Sequence, residues 1–113
     1  MIYTSYFAKM RRMTPEQQAN CVSIARFAPK NINIPSYLKV APSKEILFRY
    51  KRDGDQEVYR TSYSWQLDRL NADKIAADLD GKILLCYEKS EDFCHRHILA
   101  NWLNSHGYKC KEL

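Results

Sequence analysis

Residues 82 to 107, KILLCYEKSEDFCHRHILANWLNSHG, constrain the fold more than any other stretch. Ile83, Leu84 and Leu85 form an unbroken apolar run, which suits a strand covered on both faces, as in a parallel sheet flanked by helices. Cys86 and Tyr87 then fall near the carboxyl end of that strand. Ser90 reads as an N-cap, with Glu91 and Asp92 behind it in a first turn where the positive end of the helix dipole favours carboxylates. Gly107 reads as the C′ stop. At roughly 100 degrees per helical residue, Ile98, Leu99, Trp102 and Leu103 share one apolar face, and His95 lies at its N-terminal end. Ligands of open parallel sheets bind where strand carboxyl ends meet the N-termini of the following helices. Cys86 from the strand, and Cys94, His95 and Arg96 from the helix, are therefore expected to converge in one crevice.

The rest of the chain is consistent with one such domain spanning residues 1–113. Ile2 to Phe7 is short and rich in β-branched and aromatic residues, as a first strand would be. Thr14-Pro15-Glu16-Gln17 is a capping box with proline at N1 and predicts a short helix. Cys21 to Phe27 reads as a second strand, with Val22 and Ile24 in the core and Arg26 near its carboxyl end. Residues 28 to 42 sustain no period and hold three prolines, predicting a long loop of the kind that covers a crevice. Ser43 to Asp53 reads as a helix stopped by Gly54. Tyr59, Tyr63, Leu67 and Leu70 recur at helical spacing, and their mixture with leucines marks a core stripe rather than a stacking platform. Asn71 caps a further helix ending at Gly81, and Tyr108 to Leu113 is a final strand. This order predicts an α/β three-layer sandwich, Rossmann-like, with a small, mostly parallel four-stranded sheet and helices on both faces. It does not give the strand order.

A chain of 113 residues buries enough surface to fold without a metal or a disulfide. No run approaches the roughly 18 apolar residues of a membrane span, and the opening MIYTSYFAKMRRM is too polar for a signal peptide. The expectation is a cytoplasmic protein without a membrane partner, in which Cys21, Cys86, Cys94 and Cys110 make no disulfide framework. The net charge of +5 is uneven: residues 1 to 56 carry ten Lys or Arg against four acidic residues, and the remainder carries eight against nine. Such a surface attracts a nucleotide, a nucleic acid or an acidic protein, although charge alone also fits a merely solvated face.

The stretches LLCYEK, Asp92-Phe93-Cys94-His95-Arg96-His97 and Ala100 to Leu103 closely resemble the C-terminal signature of the bacterial and phage family called domain of unknown function 488. Weaker matches at Ile2-Tyr3-Thr4, Val22 to Arg26 with Pro29, and Ala41-Pro42 extend the resemblance over nearly the whole chain. The family pattern of two cysteines, the second followed by His-Arg, implies Cys86, Cys94, His95 and Arg96 as the marked residues, with Arg26 matching an arginine after the second strand. Thr4-Ser5-Tyr6 stands where longer members have Gly-His-Ser, so the chain is similar to the short forms. The family has no settled activity, and the resemblance implies a fold and a site rather than a reaction.

Each candidate carries two readings. Cys94 is a thiolate nucleophile favoured by the helix dipole and Arg96, or a packed thiol. As helical neighbours Cys94 and His95 would point apart, so Cys86 is the expected partner of His95 as catalytic acid-base, and a capping role for His95 stands beside this. Arg96 and Arg26 are expected to hold a phosphate or carboxylate, against an ion pair of Arg96 with Glu91 or Asp92. His97 is expected to face solvent. Cys86 with Cys94-x-x-His97 does not complete a familiar zinc pattern, so neither a metal nor another cofactor is expected. A Cys86–Cys94 disulfide is sterically open but disfavoured in a reducing compartment. The functional expectation is a pocket for an anionic, nucleotide or nucleic-acid-like ligand, with thiol-dependent catalysis by Cys86, Cys94 and His95. The alternative is a non-catalytic protein that sequesters such a ligand or contacts an acidic partner.

Overall fold

The structure, a computed structural model describing residues 1 to 113, contains four strands: β1 (Ile2–Tyr6), β2 (Cys21–Ser23), β3 (Ile83–Cys86) and β4 (Cys110–Glu112). They form one sheet in the order β2-β3-β1-β4, and every adjacent pair is parallel. The apolar run of β3 lies in the interior of this sheet, and all four of its residues are buried. Alternation along the strand sends Leu84 and Cys86 to one face and Ile83 and Leu85 to the other, where they join separate apolar clusters.

The Leu84 face carries the larger core. It packs on α3 (Gln56–Asp68), α4 (Ala72–Leu79) and α5 (His95–Ser105), through Tyr63, Leu67, Ile75, Leu79, Leu99 and Leu103. α2 (Lys44–Asp53) lies outside α3 and contributes Ile46, Leu47 and Tyr50 to its margin. The opposite layer is thinner than expected. It consists of a 3-10 segment, Phe7–Arg12, and the five-residue α1 (Pro15–Ala19), which buries none of its own residues. Phe7, Met13 and Cys21 close that face, assisted by Met10, Ile32 and Ile34. The fold is thus a three-layer α/β arrangement in which one layer is a single irregular sheath.

Local signals account for most boundaries. Thr14 and Gln17 form the reciprocal capping box, and Ser43, Asp55 and Asn71 cap α2, α3 and α4 with their side chains. α5 ends in a Schellman motif: Tyr108 N–H donates to Leu103 O and Gly107 N–H to Asn104 O, with Gly107 at φ 88°. β2 is shorter than its sequence suggests. At Ser23 the free edge of the strand is taken by the incoming loop, Ser23 N–H donating to Pro35 O and Tyr37 N–H to Ser23 O, and the last bond to β3 is Ile24 N–H to Leu85 O. Arg26 consequently lies beyond the strand, on the bend that leads into the loop.

That loop is held from beneath by α3. The buried Tyr63 hydroxyl donates to Val40 O, and the Gln66 side chain donates to Ala41 O while accepting from Ser43 N–H. Tyr63→Phe keeps the ring but strands a buried carbonyl, and an unsatisfied group of this kind costs about 1–3 kcal/mol. Urea unfolding of the variant is expected to show that loss; unchanged stability would mean that Val40 O finds water.

Candidate functional site

Cys86 is the last residue of β3, and Cys94 immediately precedes α5. The link between them does not form the helical turn expected from Ser90. Residues 90 to 92 are exposed, Asp92 N–H closes a turn on Lys89 O, and the helix starts only at His95. Phe93 explains the delay. Its ring sits 5.2 Å from that of Tyr59 and 5.6 Å from that of Tyr50, with the Arg60 guanidinium 4.9 Å above it. Burying an aromatic ring in such a cluster outweighs the roughly 1 kcal/mol of an N-cap.

Cys94 is therefore the N-cap itself, with extended backbone at φ −152° and ψ 145°. Helical geometry does not separate its side chain from that of His95, and Cys94 Sγ lies 3.8 Å from His95 Nδ1. The expected separation of these neighbours is thus corrected. Cys86 joins the same cluster: its Sγ, Cys94 Sγ and a His95 ring nitrogen all lie within 4.8 Å of one another. The two sulfurs are joined as a disulfide, against the expectation of separate thiols, while Cys21 and Cys110 are free and buried. Burial pushes both free thiols up, Cys110 to about 11 with the Glu112 carboxylate adding to the effect.

His95 is oriented by the backbone. Its Nε2 lies 2.8 Å from Ile24 O, which can only accept, so Nε2 carries the proton. Burial pulls its pKa down to about 4 against that bond's opposing effect, and the Arg96 charge lowers it further. At neutral pH the ring is uncharged, and the Nδ1 lone pair faces Cys94.

A cavity of about 320 Å³ opens beside this cluster, between the carboxyl ends of β2 and β3. Cys86, Cys94, His95 and Arg26 all line it, together with the rings of Phe27, Tyr50, Tyr59, Tyr87 and Phe93, and with Lys51 and Glu88. Sequence reasoning missed the aromatic lining and Lys51, because they come from α2, α3 and two loops that no local pattern relates. Arg26 Nε and Nη2 donate to Pro42, Ala41 and Leu38 carbonyls, so this residue also ties the loop to the cavity wall.

Arg96 differs from its expectation. It is 0 % exposed, is absent from the cavity lining, and pairs with neither Glu91 nor Asp92. Nε and Nη2 donate to the two oxygens of Glu112 at 3.1 and 2.9 Å, while Nη1 donates to Cys86 Sγ at 2.9 Å and Glu88 O at 2.6 Å. Glu112 also accepts from the Thr4 hydroxyl at 2.6 Å. A guanidinium with these bonds made has no reason to reach for an external anion. His97 is not fully solvated either: it is half-buried, and its Nε2 is buried without a partner.

Burial acts to raise the Glu112 pKa, but the bonds from Arg96 and Thr4 and the Arg96 charge outweigh it, and the group lies below its ordinary value. Its stabilising contribution is therefore complete above the ordinary glutamate range and is lost as pH falls through the lowered folded value. Glu112→Gln leaves the Arg96 charge buried with a neutral partner. It is expected to cost about 3 kcal/mol at pH 7, the lower end for breaking a buried pair because Glu112 is partly exposed. The difference from the parent should shrink in acid; urea midpoints measured from pH 3 to 7 check both statements.

No helix is long and apolar enough to cross a membrane. No curated protein and no solved structure matches the chain. A family model described as "Active DUF488-N3 subclade" matches residues 6–107. That match covers the cavity-lining residues and both cysteines of the cluster, and the chain belongs to the DUF488 family.

Proposed function

We propose that the cavity binds a nucleotide, or one nucleotide unit of a nucleic acid, and presents it to the reduced thiols of Cys86 and Cys94 for thiol-dependent chemistry. The observation that carries this reading is the composition of a single cavity: aromatic rings, two cations against the one carboxylate of Glu88, two sulfurs and a neutral imidazole. Its volume is at the small end for ligand sites, which suits a base and sugar with the phosphate at the mouth. Phe27, Tyr50, Tyr87 and Phe93, exposed or half-buried, offer ring surface to a base, and Arg26 and Lys51 offer charge to a phosphate.

Within the reduced cluster the sulfurs are not equivalent. The Arg96 guanidinium against Cys86 favours the thiolate, the nucleophilic form. Cys94 faces the His95 Nδ1 lone pair at 3.8 Å, which orients its S–H. Arg96 acts as a positioning residue for Cys86, and Arg26 takes the anion. The family description of this subclade as active supports turnover over capture. Capture without turnover, of a small anionic ligand or an acidic partner, is the second reading, favoured by the basic first half of the chain.

Thermal shift of the reduced protein against nucleotides and short single-stranded oligonucleotides, followed by mass analysis of the recovered ligand, tests the reading. A rise in Tm with a chemically altered ligand is the expected result; an unaltered one supports capture, and no rise beyond that of simple salt rejects the pocket. Arg26→Ala should weaken binding by about 1.5–3 kcal/mol, as for a charge-assisted contact. Lys51→Ala, which breaks no loop contact, should weaken it in the same direction; an effect confined to Arg26 would assign that residue to the loop alone. Iodoacetamide near pH 7 should alkylate reduced Cys94 before Cys21 and Cys110, and equal rates would remove the reactive-thiol assignment.

A further inference from the structure

We infer that the reduced chain binds one zinc ion through Cys86 Sγ, Cys94 Sγ and His95 Nδ1, with a fourth coordination position open to the cavity. This goes beyond the pocket reading: in the loaded chain the two sulfurs hold an ion in place of acting as free thiols. It rests on that reading only for what would meet the fourth position.

Four observations converge on it. The three donor atoms lie within 4.8 Å of one another, about 1 Å wider than the edges of a tetrahedral set with Zn–S of about 2.3 Å and Zn–N of about 2.0 Å, so side-chain rotation on loading draws them in by about that much. His95 is prepared as a ligand: Nε2–H donates to Ile24 O, and the Tyr63 ring meets the imidazole edge-on at 5.5 Å. That arrangement fixes the tautomer with a lone pair on Nδ1, and metal-bound histidines almost always donate their other ring N–H to an acceptor in this way. Arg96 Nη1 donates to Cys86 Sγ, the outer hydrogen bond that orients a thiolate ligand. Finally, the Cα atoms of Cys86 and Cys94 are 7.7 Å apart. Ordinary disulfides hold them at about 4.4–6.8 Å, so reduction leaves room for an ion between the two sulfurs.

The nitrogen comes from His95, where the sequence spacing suggested His97. Cys21 belongs to the cluster on the opposite sheet face, and Cys110 opens β4 at the far end of the sheet, so neither closes the set. A site with three protein ligands and one open position is the arrangement of catalytic rather than structural zinc, and soft thiolates select zinc over magnesium or calcium. In the loaded chain the sulfurs serve as ligands, and the water in the fourth position faces the cavity.

The structure holds these sulfurs as one disulfide, so loading requires reduction. A phosphine and one water yield two thiols and the phosphine oxide, with two electrons passing from phosphorus to the S–S bond. Zinc then displaces one proton from each thiol to solvent.

The test uses the full chain, reduced with a phosphine and desalted without oxygen. Titration with cobalt(II) should saturate at one equivalent and give a thiolate-to-cobalt charge-transfer band with the intense visible bands of tetrahedral coordination. One equivalent of zinc should bleach both and protect Cys86 and Cys94 from iodoacetamide. Cys94→Ser should weaken zinc binding by at least about 100-fold, beyond the loss from removing an outer-shell partner, while Cys21→Ser with Cys110→Ser should keep the spectrum. A flat cobalt titration, a weak octahedral spectrum or equal alkylation with and without zinc overturns the site. If nucleotides still stabilise that chain, the thiol reading of the pocket survives without the metal. A one-to-one tetrahedral spectrum in a chain indifferent to nucleotides would establish the ion and reject the ligand.

Discussion

A fully buried guanidinium is the constraint on which the rest of this structure depends. Removing Arg96 from water costs several kcal/mol unless its donors are satisfied, and the chain satisfies them from three places. Glu112 supplies both carboxylate oxygens from β4, Cys86 supplies sulfur from β3, and Glu88 supplies a carbonyl from the segment after it. Thr4 of β1 joins through Glu112, and the Tyr6 ring lies 5.8 Å from the guanidinium carbon. Three neighbouring strands are thereby fastened to the first turn of α5. Such a pair adds little net stability against an apolar replacement; what it provides is register, because only one placement of α5 satisfies every donor.

That placement determines the chemistry beside it. With Arg96 in the first turn of α5 and directed under the sheet edge, His95 is turned toward β2, where Ile24 O meets Nε2. Cys94, one residue earlier, has left the helix altogether. The local conformation of a single residue thus converts two side chains that helical geometry would separate into neighbours 3.8 Å apart. Phe93 enforces this, since its ring anchors the preceding residue in the cluster of Tyr50 and Tyr59.

Legibility in the sequence followed the range of the forces involved. The apolar run of β3, the caps at Thr14, Ser43 and Asn71, and the stops at Gly54 and Gly107 are settled within a few residues, and each appears where its pattern predicts. Ser90 has an equally good local signal and is overruled, because burial of Phe93 against residues more than thirty positions away is worth more than a cap. Strand and helix ends alone predict that Cys86, Cys94, His95 and Arg96 converge; the first three line one cavity, and Arg96 lies outside it. The partner of Arg96 was not: Glu112 is an ordinary acidic residue sixteen positions on, and only the strand order β3-β1-β4, which no local pattern encodes, brings it alongside. The Cys86–Cys94 disulfide is illegible for a different reason: its proximity is open in the sequence, but the redox compartment that decides it is not written in local pattern.

The uneven charge of the chain acquires a spatial meaning from this arrangement. The basic first half contributes Arg26 and Lys51 to the cavity wall, and the nearly neutral second half contributes the sulfurs and the imidazole. The wall is therefore divided by exposure as well as by sequence: Lys51 is exposed and Arg26 half-buried, whereas the sulfurs and the imidazole are buried. Arg96, the one cation embedded among those donors, has its charge matched by Glu112 while it donates to Cys86, so the buried end of the cluster carries no unpaired charge.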